Sequence, residues 1–246
     1  MTLLLLGGTA EARELAGILN DAGTSVVTSL AGDVAAPRLP EGRVRIGGFG
    51  GEGGLVTYLR EHEVTAVVDA THPFARQITA HAAAACAEVG CPLLRLSRPS
   101  WSERADADAW HWVDSFGQAR TVARLLGSRV FLAIGRKSLG EFVEWTDRYV
   151  LARVVDAPNI AVPESWVVLR ARGPFHVDAE RDLLRDHGID LLVTKDSGGP
   201  ADAKLDAARD LGVHVVIVAR PPLPRGVDAV GSVAAAAEWV QRRRSR

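Results

Sequence analysis

Short apolar runs alternate with longer amphipathic, alanine-rich segments along the chain, and this alternation constrains the fold more than any other feature. The apolar runs are continuous rather than alternately polar, as is expected of parallel strands that are buried on both faces. A repeated strand–helix–strand order requires right-handed crossovers in a parallel sheet. The sequence therefore predicts an α/β protein built on parallel sheets.

Two series of such elements are predicted. The first has strands at Leu3–Leu6, Ser25–Leu30, Val44–Ile46, Ala66–Ala70 and Leu93–Leu96, and helices at Glu11–Ala22, Leu55–Glu63 and Phe74–Val89. The second has strands at Val130–Ile134, Tyr149–Val155, Trp166–Ala171, Leu191–Thr194 and Val213–Val218, and helices at Phe116–Leu126, Lys137–Trp145, Val177–His187, Ala201–Leu211 and Val233–Arg243. The stretch from Arg98 to Trp112 lacks helical periodicity and is interpreted as a linker or an excursion between domains. We therefore predict two Rossmann-like domains, residues 1–97 and 98–246.

Composition excludes several classes of function. The 29 basic and 30 acidic residues nearly cancel, so no general attraction to nucleic acid or to a membrane surface is expected. Cys86 and Cys91 are interpreted as small core residues, and neither a disulfide framework nor a metal site is predicted. The apolar run at Leu3–Leu6 is too short for a signal peptide or a membrane span, so a cytoplasmic location is expected.

The first candidate site is the turn after the first strand, formed by Gly7, Gly8 and Thr9, with Glu11 at the start of the following helix. Glycines allow a phosphate to approach the backbone, and a helix N-terminus offers free N–H donors. The turn lacks the G-x-G-x-x-G fingerprint, so an ordinary tight turn is the alternative. Its place after the first strand favours a nucleotide site.

The ends of the second and third strands refine this prediction. Ser29 stands where NAD-specific sites carry a carboxylate for the ribose 2′-hydroxyl, which favours NADP, although Asp33 follows closely and counts against this. After the third strand come Gly47, Gly48, Phe49 and Gly50. Because so many glycines cost backbone entropy, we expect this loop's backbone to contact the cofactor, and a flexible connector is the alternative.

The fourth strand ends in Asp69-Ala70-Thr71-His72-Pro73. Thr71 and Pro73 fit the N-cap and first turn of a helix, which is the purely structural interpretation. That interpretation leaves Asp69 and His72 unexplained at an edge where ligands bind. Because His titrates near neutral pH, His72 is the candidate proton donor, with water or a substrate carboxylate as the alternative source.

The second half carries a parallel set of polar turns. Gly135-Arg136-Lys137-Ser138 and Lys195-Asp196-Ser197-Gly198-Gly199 each follow a strand, and Gly173-Pro174-Phe175-His176 precedes a helix. Any one of them could be ordinary helix capping. Three together on one edge of a sheet predict an anion site.

These motifs together resemble the precorrin-6A reductase family of cobalamin biosynthesis. The resemblance runs from Leu3 to about Pro224 and rests on GGTAEAR, SLAG, GGFGG, DATHPFA, LLRLSRPSW, FLAIGRK, GPF and TKDSGG in this order. It implies two Rossmann-like domains with ligands in the cleft between them. It also implies NADPH as cofactor and precorrin-6A, a polycarboxylate tetrapyrrole, as substrate, with hydride going to carbon 19 and a proton to carbon 18 to give precorrin-6B.

The expected site residues follow from the motifs and the resemblance together. Cofactor contacts are expected from Gly7, Gly8, Thr9, Glu11, Ser29, Gly47, Gly48, Phe49, Gly50 and Thr71. Substrate contacts are expected from His72, Arg76, Arg136, Lys137, His176, Lys195, Ser197 and Gly198. Whether the substrate contains cobalt is left open by the sequence.

Three other classes of protein are alternatives to this family. A short-chain dehydrogenase needs a Tyr-x-x-x-Lys pair, but His62 and Arg153 follow Tyr58 and Tyr149 at that spacing. An NADP-binding regulatory module without turnover would not need the second anion-binding edge. A methyltransferase of the same pathway would bind S-adenosylmethionine in place of NADPH.

Overall fold

The computed structural model describes residues 2–32 and 38–244, and it separates into two compact units. The first unit consists of the described residues of Met1–Arg98 and Pro221–Arg246, and the second is Pro99–Arg220. Asp33, the carboxylate that counts against NADP, lies outside the described residues. Among the described residues, no helix is long and apolar enough to cross a membrane.

The predicted alternation of strands and helices is confirmed, with most boundaries within one or two residues. In chain order the strands are β1 (Thr2–Leu6), β2 (Ser25–Leu30), β3 (Arg43–Ile46), β4 (Val64–Asp69), β5 (Leu93–Leu96), β6 (His111–Val113), β7 (Arg129–Ala133), β8 (Tyr149–Val154), β9 (Trp166–Arg170), β10 (Leu191–Lys195), β11 (His214–Val218) and β12 (Asp228–Val230). The α-helices are α1 (Ala10–Asp21), α2 (Glu52–Glu61), α3 (Arg76–Val89), α4 (Phe116–Leu126), α5 (Val177–Asp186), α6 (Ala203–Leu211) and α7 (Val233–Arg244).

The first unit is a six-stranded parallel sheet in the order β3-β2-β1-β4-β5-β12. This is the order of the dinucleotide-binding Rossmann fold, in which the direction of winding reverses beside the first strand. β1 is completely buried over Leu3–Leu5, as its unbroken apolar run predicts. A crevice is therefore expected beyond the carboxyl ends of β1 and β4, where such sheets bind ligands.

The second unit is also a six-stranded parallel sheet, in the order β6-β11-β10-β7-β8-β9. The winding reverses between β7 and β10, so the same rule points to the residues that follow these two strands. The prediction of an α/β fold with two Rossmann-like parallel sheets is confirmed. Cys86 is buried and Cys91 half-buried, both as free thiols, which agrees with their interpretation as core residues.

The predicted domain boundary needs a correction at the C-terminus. Residues 221–246 were assigned to the second domain, but β12 pairs in parallel with β5 of the first sheet. Val233, Trp239 and Val240 of α7 lie in the same core as Leu3 and Leu15. A three-residue strand leaves a weak sequence signal, and periodicity does not show on which sheet an amphipathic helix packs.

Two local predictions are also corrected. The stretch 98–112 is not a linker, because it contains two short 3₁₀ segments and most of β6, and Trp101 is buried in the core of the second unit. The Trp101 indole donates to the Gly199 carbonyl at 3.1 Å. The helix expected over Lys137–Trp145 is a 3₁₀ helix over Arg136–Phe142.

Candidate active site

A small pocket lies at the carboxyl edge of the first sheet, at the reversal between β1 and β4. Its lining consists of Thr9, Glu11, Ala70, Thr71, Pro73, Leu96, Ser97 and Arg98. These residues come from the segments that follow β1 and β4 and from the end of β5 and the residues after it. The structure thus brings together Thr9, Glu11 and Thr71, three of the residues predicted to contact the cofactor.

The glycine turn after β1 is fixed by packing and by backbone conformation. The Gly7 N–H donates to the Ser29 carbonyl at 2.9 Å, and a Cβ added at Gly7 would lie 2.9 Å from Thr28 Cγ2, too close for any side chain. Gly8 has a φ of 116°, and the space where its Cβ would stand is open. A ligand can therefore approach the backbone at Gly8 without meeting a side chain.

Thr9 joins the start of α1 to the end of β4. Its hydroxyl accepts from the Ala12 N–H at 3.1 Å, as an N-cap does, and donates to the Ala70 carbonyl at 2.8 Å. The positive end of the α1 dipole is thereby held at the pocket. Such a helix N-terminus suits a phosphate group.

A guanidinium that the sequence did not predict also lines this pocket. Arg98 Nη1 lies 3.1 Å from Glu11 Oε1, and both side chains are partly exposed. The pairing offsets the carboxylate that Glu11 places near the helix N-terminus. Arg98 is the second residue after β5, and its position just beyond the strand's carboxyl end is the signal in the sequence that points to it.

Ser29 is held by a second unpredicted arginine, Arg45 of β3. Arg45 Nη1 donates to Ser29 Oγ at 2.8 Å and to the Gly47 carbonyl at 2.9 Å, while Nη2 donates to the Gly48 carbonyl at 3.0 Å. The signal for Arg45 was its place beside the end of β2, where NADP-binding sheets use an arginine for the 2′-phosphate. The edge of the sheet thus presents a hydroxyl and a cation in place of a carboxylate.

The glycine loop after β3 is ordered around that arginine. The Arg45 guanidinium lies over the Phe49 ring at 3.9 Å, and Phe49 meets Tyr58 of α2 edge to face at 5.1 Å. Gly50 has a φ of 82°, and a Cβ at Gly54 would lie 1.7 Å from the Phe49 carbonyl oxygen. These glycines are therefore required by the shape of the loop itself.

A buried ion pair lies beneath the turn after β4. Asp69 Oδ1 lies 2.6 Å from Arg95 Nη1, and both side chains are almost completely buried. Asp69 accepts from the Thr71 N–H, the Thr71 hydroxyl and the Thr79 hydroxyl, and Arg95 Nη2 donates to the Thr71 carbonyl at 2.8 Å. The carboxylate left unexplained by the sequence therefore holds Thr71 in place.

The interpretation of Thr71 as a helix N-cap is wrong. α3 begins at Arg76, two residues later than predicted, and its N-cap position is Ala75. The Thr71 hydroxyl is occupied by Asp69 and Arg95 instead. The intervening turn is closed by the Ala75 N–H, which donates to the His72 carbonyl at 2.8 Å.

His72 is oriented by its own turn. Its Nδ1 accepts from the Phe74 N–H at 3.1 Å, so the neutral ring carries its proton on Nε2. The side chain is half-buried, and Arg76, the first residue of α3, is exposed. The turn therefore fixes the orientation of the His72 ring, which carries its proton on Nε2.

The second unit places two of its predicted cations close together at the reversal between β7 and β10. Nζ of Lys195 would lie 3.6 Å from a Cβ added at Gly135, whose φ is 80°. Burial, and then the positive charge of Lys137, lower the pKa of the Lys195 ammonium to about 8. The Lys195 ammonium therefore lies against the Gly135 turn at the edge of the sheet.

The residues around Lys195 have separate roles. Asp196 is buried and accepts from Arg220, from the Ser100 hydroxyl and from the Trp101 N–H, so it stabilises the unit internally. The Ser197 N–H donates to the Lys195 carbonyl at 2.6 Å. The remaining predicted substrate residues lie at the same edge: Arg136 opens the 3₁₀ helix, Gly198 has a φ of 63°, and His176 is the exposed residue before α5.

Comparison with known proteins decides the family. Residues 2–241 match the family described as precorrin-6x reductase CbiJ/CobK. The chain belongs to this family. The resemblance inferred from the sequence motifs is therefore confirmed, and with it the assignment to a reductase family of cobalamin biosynthesis.

Relatives of the precorrin-6x reductase family match over nearly their whole length. A precorrin-6A reductase of Rhodococcus erythropolis is 50% identical over 240 residues, covering 97% of this chain and 96% of that protein. A cobalt-precorrin-6A reductase of Priestia megaterium is 32% identical over 239 residues, covering 91% and 92%. A solved structure of CobK precorrin-6A reductase matches with a TM-score of 0.90 at 40% identity, covering 98% of this chain and 96% of that one.

The described residues were also compared with the arrangements of side chains that bind metal ions. Within residues 2–32 and 38–244, no group of three or more His, Cys, Asp or Glu side chains is arranged to hold a metal ion. The polar groups of both sheet edges include hydroxyls, backbone N–H groups and cations, and the carboxylates of Glu11, Asp69 and Asp196 are paired with arginines. The hydroxyls, N–H groups and cations suit phosphates and carboxylates.

Proposed function

We propose that the protein reduces precorrin-6A to precorrin-6B and uses NADPH as the reductant. Support for the substrate comes from relatives at about half identity that carry the name precorrin-6A reductase. The observation that carries the choice of cofactor is the contact between Ser29 and Arg45 at the end of β2. NADPH would supply a hydride to the macrocycle, and the protein would bind and orient both partners.

The first unit has groups that fit each part of this cofactor. Gly8 and the N-terminus of α1, capped by Thr9, would hold the pyrophosphate, with Glu11 and Arg98 beside them. Gly7, Thr71 and the backbone of Gly47, Gly48, Phe49 and Gly50 would complete the wall of the site. Arg45 would pair with the 2′-phosphate, and Ser29 would add a hydroxyl donor.

The 2′-phosphate assignment predicts that Arg45→Gln weakens NADPH binding and spares NADH. A charge-assisted contact contributes ~1.5–3 kcal/mol, so the NADPH dissociation constant should rise about ten- to a hundredfold. Arg43→Gln, an exposed arginine on the same strand, is the matched control. Fluorescence titration with both nucleotides measures this.

Comparison of NADPH with NADH also shows which part of the proposal is wrong if the expected result is not found. If Arg45→Gln weakens NADPH and NADH equally, the loop has been disturbed and the phosphate contact is refuted. Equal affinity of the natural protein for NADH and NADPH would refute the preference itself. A low affinity for both, with tight binding of S-adenosylmethionine, would support a methyltransferase.

The second unit would bind the carboxylates of the tetrapyrrole. A protein with a net charge of -1 needs local cations for a polycarboxylate, and Arg136, Lys137 and Lys195 stand at one sheet edge. Ser197, Gly198 and His176 would add hydrogen bonds, and Arg76 and His72 are proposed as further substrate contacts. The sequence favours His72 as the proton donor, and the source of the proton is taken up below.

Turnover tests the function directly. The protein is incubated with NADPH and either precorrin-6A or cobalt-precorrin-6A, and the loss of nicotinamide absorbance is followed. Oxidation with precorrin-6A supports the proposal. Oxidation with the cobalt-containing substrate alone would support the second candidate, a cobalt-precorrin-6A reductase, as in the Priestia megaterium relative. Tight NADPH binding without oxidation in either case would indicate a regulatory module.

A further inference from the structure

Lys195 is placed at the point of the second sheet where a bound ligand is expected. It is the last residue of β10, beside β7, and the winding of the sheet reverses between these two strands. Ligands bind beyond the carboxyl ends of strands at such a reversal. Gly135 follows β7, and the Lys195 ammonium nitrogen would lie 3.6 Å from a Cβ at Gly135, so the ammonium lies against the turn at this edge.

The surroundings of Lys195 differ from those of the other cations at this edge. Lys195 is half-buried, whereas Lys137 is exposed. The charged groups nearby are Arg136 and Lys137 after β7, together with Asp196 and Arg220 after β10 and β11. Asp196 is engaged by Arg220 at 2.7 and 3.0 Å, so its negative charge is largely balanced by that guanidinium.

This environment makes the ammonium a usable acid. An ordinary lysine releases its proton too rarely at neutral pH to serve as a general acid, because its pKa is about 10.4. Burial and the charge of Lys137 bring the pKa of Lys195 to about 8. General acids work best when their pKa lies near the working pH.

Resting on the reduction proposed above, we propose that Lys195 is the proton donor that completes reduction of the macrocycle. The hydride from NADPH forms one new C–H bond and leaves an electron pair on the adjacent conjugated system. That pair forms the second C–H bond with a proton of the Lys195 ammonium, whose N–H bond breaks. Lys195 is left as a neutral amine and regains its proton from water, so one NADPH and one proton are consumed per substrate.

His72 is less suited to this step in the conformation observed. Because its Nδ1 accepts the Phe74 N–H, the ring is neutral and its remaining proton is on Nε2. Release of that proton would leave an imidazolate, and protonation of Nδ1 would first break the bond to Phe74. The Lys195 ammonium, in contrast, carries a proton that it can release at a pKa of about 8.

Lys195→Arg separates proton donation from carboxylate binding. Arginine keeps the positive charge but is never deprotonated in practice. Substrate and NADPH dissociation constants should therefore change only a few-fold. Single-turnover formation of the reduced macrocycle, followed at the tetrapyrrole absorbance, should fall ~10²–10⁴-fold, the usual contribution of a general acid. Full activity of Lys195→Arg would overturn the proposal.

The pH profile provides a readout that a purely structural role would not change. The natural protein should lose its rate of product formation above pH 8, as Lys195 deprotonates. Lys137→Gln removes a neighbouring positive charge, so it should raise the pKa of Lys195 and move this loss to higher pH. A profile whose alkaline limb stays in place in Lys137→Gln would contradict the assignment.

Chemical rescue completes the test. Lys195→Ala should regain product formation when primary amines are added, and the rescue should depend on the pKa of the amine. Absence of rescue in a folded variant that still binds substrate would count against proton donation. If the natural protein shows no oxidation of NADPH by precorrin-6A, the proposed function fails; normal oxidation with an active Lys195→Arg refutes the role of Lys195 alone.

Discussion

At the scale of single residues, His72 shows how a hydrogen bond limits what a side chain can do. The Phe74 N–H occupies Nδ1, so the ring can donate only from Nε2. A donor of this kind orients a substrate carboxylate or cofactor amide. It contributes ~0.5–1.5 kcal/mol when the bond is neutral and somewhat more when the acceptor is charged.

His72→Asn is the matched substitution, because the asparagine Oδ1 can accept from Phe74 in place of Nδ1 while Nε2–H is lost. We expect the substrate Michaelis constant to rise roughly two- to tenfold, with an unchanged pH profile for single-turnover product formation. His214→Asn, at the exposed start of β11, is the control. A loss of ~10²-fold or more with a displaced pH profile would instead identify His72 as the proton donor.

Some residue roles can be predicted from position in the sequence, and others become clear only when the hydrogen-bond partners in the structure are known. Gly7, Gly8, Thr9 and Glu11 could be placed at the pocket because the chain leaves β1 there. The sequence analysis did not identify Arg45, Arg95 or Arg98, because an arginine within or after a strand looks like any exposed cation in a sequence. The roles of these three arginines depend on partners 16 to 87 positions away in the chain, which are Ser29, Thr71 and Glu11 respectively.

At the scale of elements, the Asp69–Arg95 pair joins three pieces of the first unit. Asp69 ends β4, Arg95 lies in β5, and the Thr79 hydroxyl of α3 donates to Asp69 Oδ2 at 2.6 Å. The same pair holds both the carbonyl and the hydroxyl of Thr71. The turn that carries His72 is therefore fixed from below by groups that do not reach solvent.

Asp69→Asn removes the charge with little change of shape and leaves the Arg95 guanidinium buried without its counter-ion. Breaking a buried pair in this way costs ~3–5 kcal/mol of unfolding free energy. Glu88→Gln removes the partner of Arg60 in an exposed pair and should cost under ~1 kcal/mol. Urea unfolding of both variants measures the difference, and equal small losses would show that the pair does not stabilise the turn.

Helices and strands with a regular apolar pattern were predicted well from the sequence. Elements that form only by pairing or packing with distant parts of the chain were not. α4 and β2 have the predicted bounds because their apolar patterns start and stop sharply. β12 has three residues, two of them exposed, and becomes a strand by pairing with β5. The sequence predicts a linker around Trp101, because the order of its 3₁₀ turns comes from Asp196 and Gly199 about a hundred residues later.

At the scale of the whole molecule, the second unit is an insertion in the first. The chain completes five strands of the first sheet, forms all of Pro99–Arg220, and then returns to add β12 and α7. Sequence order alone suggests two successive halves. The first sheet reaches its six-stranded Rossmann order only with the returning strand, so its stability depends on residues from both ends of the chain.

This arrangement predicts which fragments fold. Residues 1–98 alone lack the side chains of Val233, Trp239 and Val240, which lie in the core of the first unit. Each buried apolar side chain of this kind contributes ~1.5–3 kcal/mol, and their sum approaches the whole stability of a typical domain, ~5–15 kcal/mol. We therefore expect the fragment 1–98 to be unfolded. The fragment 1–98 joined by a flexible Gly/Ser linker to 221–246 should unfold cooperatively in urea.

Pro99–Arg220, with its own sheet and core, should fold alone and serves as the control. A cooperative transition of 1–98 at the same midpoint as the joined fragment would show that the returning segment is dispensable.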